Sequence, residues 1–131
     1  MIGLDTNVLV RYVTHDHPAQ TVTAIKVMES LTPEAPGFLS MMVIAELVWV
    51  LETCYRFSKP EVIETLEMLL RSKELIVERA ETALQALSNF KTSRSDFSDC
   101  MIERSGHAAG CQHTMTFDRR AAGLVGMKLL S

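Results

Sequence analysis

The sequence predicts an α/β domain with a mainly parallel sheet and helices on both faces. Two observations carry that prediction. Short apolar runs at residues 2–4, 38–40, 75–77, 113–117 and 127–130 alternate with longer segments of helical apolar spacing. Strands that alternate with helices build parallel βαβ units. The chain has 131 residues, which is the size of one domain with a core of its own.

Each element has a local reason. Ile2, Gly3 and Leu4 make a short apolar strand that ends at Asp5. Residues 6–13 read as a turn or two of helix carrying Val8, Leu9, Tyr12 and Val13. The loop His15-Asp16-His17-Pro18 ends it, because proline excludes helix in the residue before it. A second helix covers 19–31, and the loop 32–37 follows with Pro33, Pro36 and Gly37. After the strand at 38–40, Ser40 is the N-cap of a long helix over 41–55. Ile44, Leu47, Val48, Leu51 and Tyr55 repeat on that helix at one face. Ser58-Lys59-Pro60-Glu61 starts the next helix with a cap, a proline in the first turn and an acid near the positive end. It runs to about Ser72. A third strand at 75–77 leads to a helix over 80–90 and a basic loop at 91–95. The helix at 96–109 stops at Gly110, a residue suited to the left-handed stop. A strand at 113–117 ends at Asp118, a turn of helix covers 119–122, and 127–130 is a weak fifth strand.

Composition excludes several classes. Apolar residues make up 47% and charged residues 22%, so the chain is globular and not disordered. No apolar run approaches the ~20 residues that span a bilayer. Met1 leads straight into Ile2-Gly3-Leu4-Asp5 without a leader pattern. Cys54, Cys100 and Cys111 are an odd, scattered set without a CxxC, which argues against a disulfide framework or a zinc knuckle and for a reducing cytoplasm. Cys100, Cys111 and Trp49 read as core residues, and the four histidines as loop or surface residues. Glycine is too sparse for a phosphate-binding loop.

The acids carry the chemistry. The net charge is −3, with only 5 aspartates against 11 glutamates. Asp5, Asp96, Asp99 and Asp118 sit at the ends of predicted elements, and without them and Glu46 the remainder is mildly basic. A polyanionic substrate is therefore compatible with the balance if cations offset the acids. Asp5 ends the first strand and Asp118 follows the fourth, at the carboxyl ends where doubly wound sheets bind ligands. Asp96 and Asp99 are three apart and share a helix face. Each has an ordinary reading: Asp5 as an N-cap, Asp96 as a helix start, Asp118 as a turn acid. Glu46 is the only charge in MMVIAELVWVL, a segment expected to be mostly buried. There it is either half of a buried salt bridge or a metal carboxylate. Clustered carboxylates repel unless a cation holds them, and an all-oxygen site favours Mg²⁺ or Mn²⁺. Such a site suits phosphodiester cleavage by metal-activated water, with no side-chain nucleophile.

Four segments resemble a known family. Leu4-Asp5-Thr6-Asn7-Val8-Leu9 resembles the opening signature of PIN-domain ribonucleases. Ile44-Ala45-Glu46-Leu47, Asp96-Phe97-Ser98-Asp99-Cys100-Met101-Ile102 and Thr116-Phe117-Asp118-Arg119 resemble the second, third and fourth motifs, in family order. Length and layout are similar to the VapC toxins of bacterial toxin–antitoxin pairs. The resemblance implies one PIN domain over 1–131 with strand order 3-2-1-4-5. It implies a Mg²⁺-dependent endoribonuclease, with Mn²⁺ able to substitute, whose metal ligands and catalytic carboxylates are Asp5, Glu46, Asp99 and Asp118. Asp99 is preferred over Asp96 because it fits the acid-x-x-Ile pattern. Thr6, Asn7, Asp96 and Thr116 would orient the carboxylates. Arg94, Arg119 and Arg120, with Lys91 and Arg11 nearby in sequence, are candidate RNA contacts. The implied partners are a VapB-type antitoxin and a second copy of the chain, with no membrane. The alternatives are a PIN-like binding module without activity and a DNA-directed nuclease of the same metal chemistry. A phosphoreceiver domain fits less well: it wants a second acid beside Asp5 and a lysine at the end of the last strand.

Overall fold

The computed structural model describes residues 1–131, and the chain divides into two compact units, Met1–Glu78 and Arg79–Ser131. The first holds β1 (Ile2–Gly3), α1 (Thr6–Thr14), α2 (Pro18–Ser30), β2 (Gly37–Leu39), α3 (Met41–Cys54), α4 (Lys59–Arg71) and β3 (Leu75–Val77). Its three strands form a parallel sheet in the order β1-β2-β3. Ile2 and Gly3 pair with Gly37 and Phe38, and residues 37–39 pair in turn with 75–77. Gly37 lets the strands pack closely: a Cβ on it would come within 2.8 Å of a Leu4 methyl and 3.0 Å of one on Leu31, which would have to shift.

The helices begin where the sequence says they should. Ser40 Oγ accepts from the Val43 N–H at 3.1 Å. Ser58 and Glu61 form a reciprocal capping box ahead of α4, with Pro60 in the first turn. His17 caps α2 through Nδ1, which accepts from the Gln20 N–H. The turn between α1 and α2 is tied by side chains: the Tyr55 hydroxyl donates to Asp16 at 2.5 Å, and Arg11 donates to both Asp16 and Tyr55. The Tyr55 hydrogen bond above all holds the Asp16 carboxyl below the usual range, and the same bond raises the Tyr55 phenol. The apolar face runs through Leu9, Val10, Leu39, Ile44, Leu47, Leu51, Val62, Leu66 and Leu69, each at most 1% exposed.

The second unit holds α5 (Ala80–Thr92), α6 (Phe97–Ala108), β4 (Thr114–Thr116) and β5 (Met127–Leu129), with a turn of 3₁₀ helix at Ala121–Gly123. β4 and β5 pair in parallel, Thr114 opposite Met127. α5 packs on α6, and Phe90 meets Phe97 edge-on with centroids 5.8 Å apart. Gly110 ends α6 at φ 95°, the left-handed stop that the sequence indicates.

Every element expected from the sequence is present within a residue or two. The ladders differ from the expected single sheet. They give 3-2-1 in one sheet and 4-5 in another, and the step from 1 to 4 is not among them. β1 is only two residues long, so it offers a short ladder, and Ile2 and Leu4 spend their N–H groups on Pro36 and Phe38. Three burial expectations are corrected. Glu46 is exposed, Trp49 is 58% exposed, and Cys111 is exposed. The Glu46 carboxylate therefore carries no burial penalty, and the argument that burial alone demands a partner for it falls away. Cys100 is in the core as expected. No helix is long and apolar enough to cross a membrane.

Candidate functional site

Of the two candidate acids in the N-terminal unit, only Asp5 stands at an element boundary. Asp5 is the exposed N-cap of α1, and its Oδ1 accepts from the Thr6 N–H at 2.8 Å. One carboxylate oxygen is thus used by the cap, and the ordinary reading of Asp5 is realised. Beside it the Thr6 hydroxyl is buried without a hydrogen-bond partner. Leaving a buried hydroxyl unmet costs about 1–3 kcal/mol, so such an atom marks a place where a further polar group belongs. Asn7 is exposed and borders a cavity of about 400 Å³ between α1 and α2, whose lining is mostly apolar and holds Val8, Arg11 and Gln20. Glu46 lies in the second turn of α3, on its exposed side.

In the C-terminal unit the structure assembles a charged cluster. Asp96 is the N-cap of α6, but its side chain makes no cap hydrogen bond. Its Oδ1 instead accepts from Arg120 Nη2 at 3.4 Å. Asp99 lies in the first turn of α6. Its carboxyl is pushed above the usual range, first by burial, then by the charges of Asp96 and Asp118. Arg120 and a backbone hydrogen bond at Asp96 pull the other way without cancelling the rise. Asp118 is set by its neighbours. Its N–H donates to Thr116 Oγ1 at 3.0 Å, and its Oδ1 accepts from the N–H groups of Arg120 and Ala121 at 2.8 and 3.2 Å. Thr116 therefore acts on the Asp118 backbone and not on its carboxylate.

Arg120 serves inside this cluster. Its guanidinium donates twice to the Arg94 carbonyl, at 3.2 and 2.7 Å, while its own carbonyl accepts from the buried Ser95 hydroxyl at 2.7 Å. A guanidinium so engaged is a strut, which leaves Arg94 and Arg119 as the exposed arginines without an ion pair here. Arg11 is likewise engaged, with Asp16, Tyr55 and Gln20. Sequence reasoning missed Glu103 and Arg104 altogether. Glu103 is 2% exposed and is held by Arg104 through three hydrogen bonds of 2.6–3.1 Å. The signal was available: Glu103 follows Cys100 by three on the buried face of α6.

The donors are oxygen throughout, which suits a hard divalent cation. Within the C-terminal unit, beyond the rise from burial, the charges of Asp96 and Asp118 raise the Asp99 carboxyl more than Arg120 lowers it, a setting that suits a group bringing positive charge. Against that, no three Asp, Glu, His or Cys side chains stand gathered as a group able to hold a metal ion.

The arrangement defines a class, a small α/β domain with carboxylates at strand ends and helix starts. The PIN domain family model matches residues 2–125, and the chain belongs to that family. Among curated relatives, a VapC ribonuclease of Aquifex aeolicus (strain VF5) is 25% identical over 118 residues, covering 89% of this chain and 87% of that one. Among solved structures, Mycobacterium tuberculosis VapC20, described as a sarcin-ricin loop cleaving toxin, matches with a TM-score of 0.47 and 21% identity. That match covers 96% of this chain and 98% of the other.

Proposed function

We propose that this protein is a metal-dependent endoribonuclease toxin and that residues 1–131 act as a single PIN domain. The observation that carries the reading is the PIN-family match over residues 2–125, and the placement of Asp99 in the first turn of α6, where burial, Asp96 and Asp118 raise its carboxyl, agrees with it. A fold that concentrates like charges in this way is suited to a cation. The relative named a VapC ribonuclease supports the reading as well.

In this reading Asp5, Glu46, Asp99 and Asp118 hold Mg²⁺, or Mn²⁺ in its place. A metal held by them would supply the chemistry of an activated water and of charge stabilisation on the phosphodiester oxygens. The chain's own groups prepare that site. The Thr6 N–H fixes one oxygen of Asp5 and leaves the other for a ligand. Thr116 and the N–H groups of Arg120 and Ala121 fix Asp118. Arg120 holds Asp96 and the Arg94 backbone in place, and Asn7 and the Thr6 hydroxyl are polar groups beside Asp5 for water or substrate. We further propose a VapB-type antitoxin as inhibitor, a homodimer, and action in the cytoplasm on cellular RNA.

The test is cleavage of total bacterial RNA by the purified protein in Mg²⁺. The expected result is cuts that stop with EDTA, stop with Asp5→Asn, and leave 3′-hydroxyl and 5′-phosphate ends. Ends bearing 2′,3′-cyclic phosphate overturn the metal–water chemistry. A folded, metal-loaded, partner-free protein that cuts nothing favours the binding-module reading.

A further inference from the structure

We propose that Phe117 is a stacking platform for a base of single-stranded RNA, with Arg119 and Arg94 as its phosphate contacts. The proposal rests on the ribonuclease reading and deepens it, by assigning how the substrate is gripped next to Asp118.

Phe117 is 77% exposed, the most exposed of the five phenylalanines. Phe90 and Phe97 of the same unit are buried against each other. A phenylalanine has no polar tip to satisfy in water, so near-complete exposure forgoes a burial contribution of about 1.5–3 kcal/mol. Its position is held firmly. It lies between Thr116, the last residue of β4, and Asp118, and the Thr116 hydroxyl and the Asp118 carboxylate close the turn around it. A ring on so constrained a turn loses little freedom when a flat partner covers it.

The charges beside it select the partner. Arg120 is consumed by Asp96 and the Arg94 carbonyl. Arg119 and Arg94 are exposed, and neither makes an ion pair. The set is therefore one bare aromatic face, an adjacent carboxylate, the Arg119 guanidinium two residues on, and Arg94, whose carbonyl Arg120 ties to this turn. A nucleotide strand offers the complement, a flat apolar base joined to anionic phosphate, and unstacked bases are what aromatic side chains capture in single-stranded RNA. A protein partner would favour a broader apolar patch with fewer charges at its centre. Here the apolar neighbours are Met115, two residues earlier in β4, and Leu130, whose N–H donates to the Thr116 carbonyl, and they are flanked by Asp118 and Arg119.

The test is binding of labelled oligoadenylate and oligouridylate to the full chain in EDTA, read by fluorescence anisotropy across a salt series. Working without metal separates this proposal from the nuclease reading, which the cleavage assay judges by itself. Wild type should bind oligoadenylate more tightly than oligouridylate, because purines stack better. Phe117→Ala should weaken oligoadenylate binding about 5- to 100-fold and erase the preference, with the salt dependence unchanged. Phe117→Trp should restore both. Arg119→Ala should keep the base preference and flatten the log–log salt slope by about 0.7, as expected for one lost phosphate contact on a single strand. Thermal melting of Phe117→Ala should match wild type, since the ring is exposed. Unchanged binding and preference in Phe117→Ala overturns the proposal. So does a Phe117→Ala protein that binds RNA normally but no longer self-associates, an outcome that makes the ring a protein contact.

Discussion

Asp99 stands in a conflict that the fold does not resolve by itself. Burial and the charges of Asp96 and Asp118 disfavour its ionised form. Its folded pKa lies above the unfolded value, so the folded chain binds the proton more tightly. The carboxyl is then harmless below its unfolded pKa, and stability falls as pH rises through the window up to the folded pKa. Asp99→Asn is expected to raise the melting temperature of the metal-free protein at neutral pH, with the gain vanishing under acid. Calorimetry across a pH series checks it, and a gain that persists at low pH contradicts the electrostatic cause. The same variant should lose nuclease activity, which sets function against stability at one position. The placement of Asp5, Asp96 and Asp99 at helix starts and of Asp118 just past a strand was legible in the sequence, because caps and apolar runs are local. The role of Arg120 was not, because a long side chain beside an acid reads the same whether it faces solvent or folds back on a carbonyl.

Helix α6 shows what periodicity can and cannot tell. Its start, its apolar face at Phe97, Cys100 and Met101, and its stop at Gly110 follow from spacing and caps. Glu103 on that face did not, since a charge reads as surface until its partner is known. Arg104 makes the burial tolerable, and Gly126 makes room: a Cβ there would run into the Glu103 carboxylate. Arg104→Met should cost about 3–5 kcal/mol in urea denaturation, because it strands a buried carboxylate. Replacing both Glu103 and Arg104 with apolar residues should recover most of that loss. If the double variant is no better than the single one, the pair is not the source of the cost. Helix α3 shows the opposite limit. Its spacing chose the inward face correctly at Ile44, Leu47, Val48 and Leu51, but its apolar composition suggested burial all round, and Glu46 and Trp49, off that face, are exposed.

The molecule as a whole carries −3, and the acids proposed for the chemistry, Asp5, Glu46, Asp99 and Asp118, are four of its sixteen. Strand and helix boundaries were legible because caps, prolines and apolar spacing are local. The pairing of strands was only half legible, since register and neighbour choice depend on contacts far apart in sequence. The central claim is that the chain is a metal-dependent ribonuclease for which Asp5 and Asp99 are both needed. Its most direct test is a kinetic cycle in Mg²⁺ comparing wild type, Asp5→Asn, Asp99→Asn and the double variant on one RNA substrate. Groups that act as a unit are strongly non-additive, so each single variant should lose nearly all activity and the double should lose little more. An Asp5→Asn protein that is folded and cleaves at the wild-type rate would contradict the account.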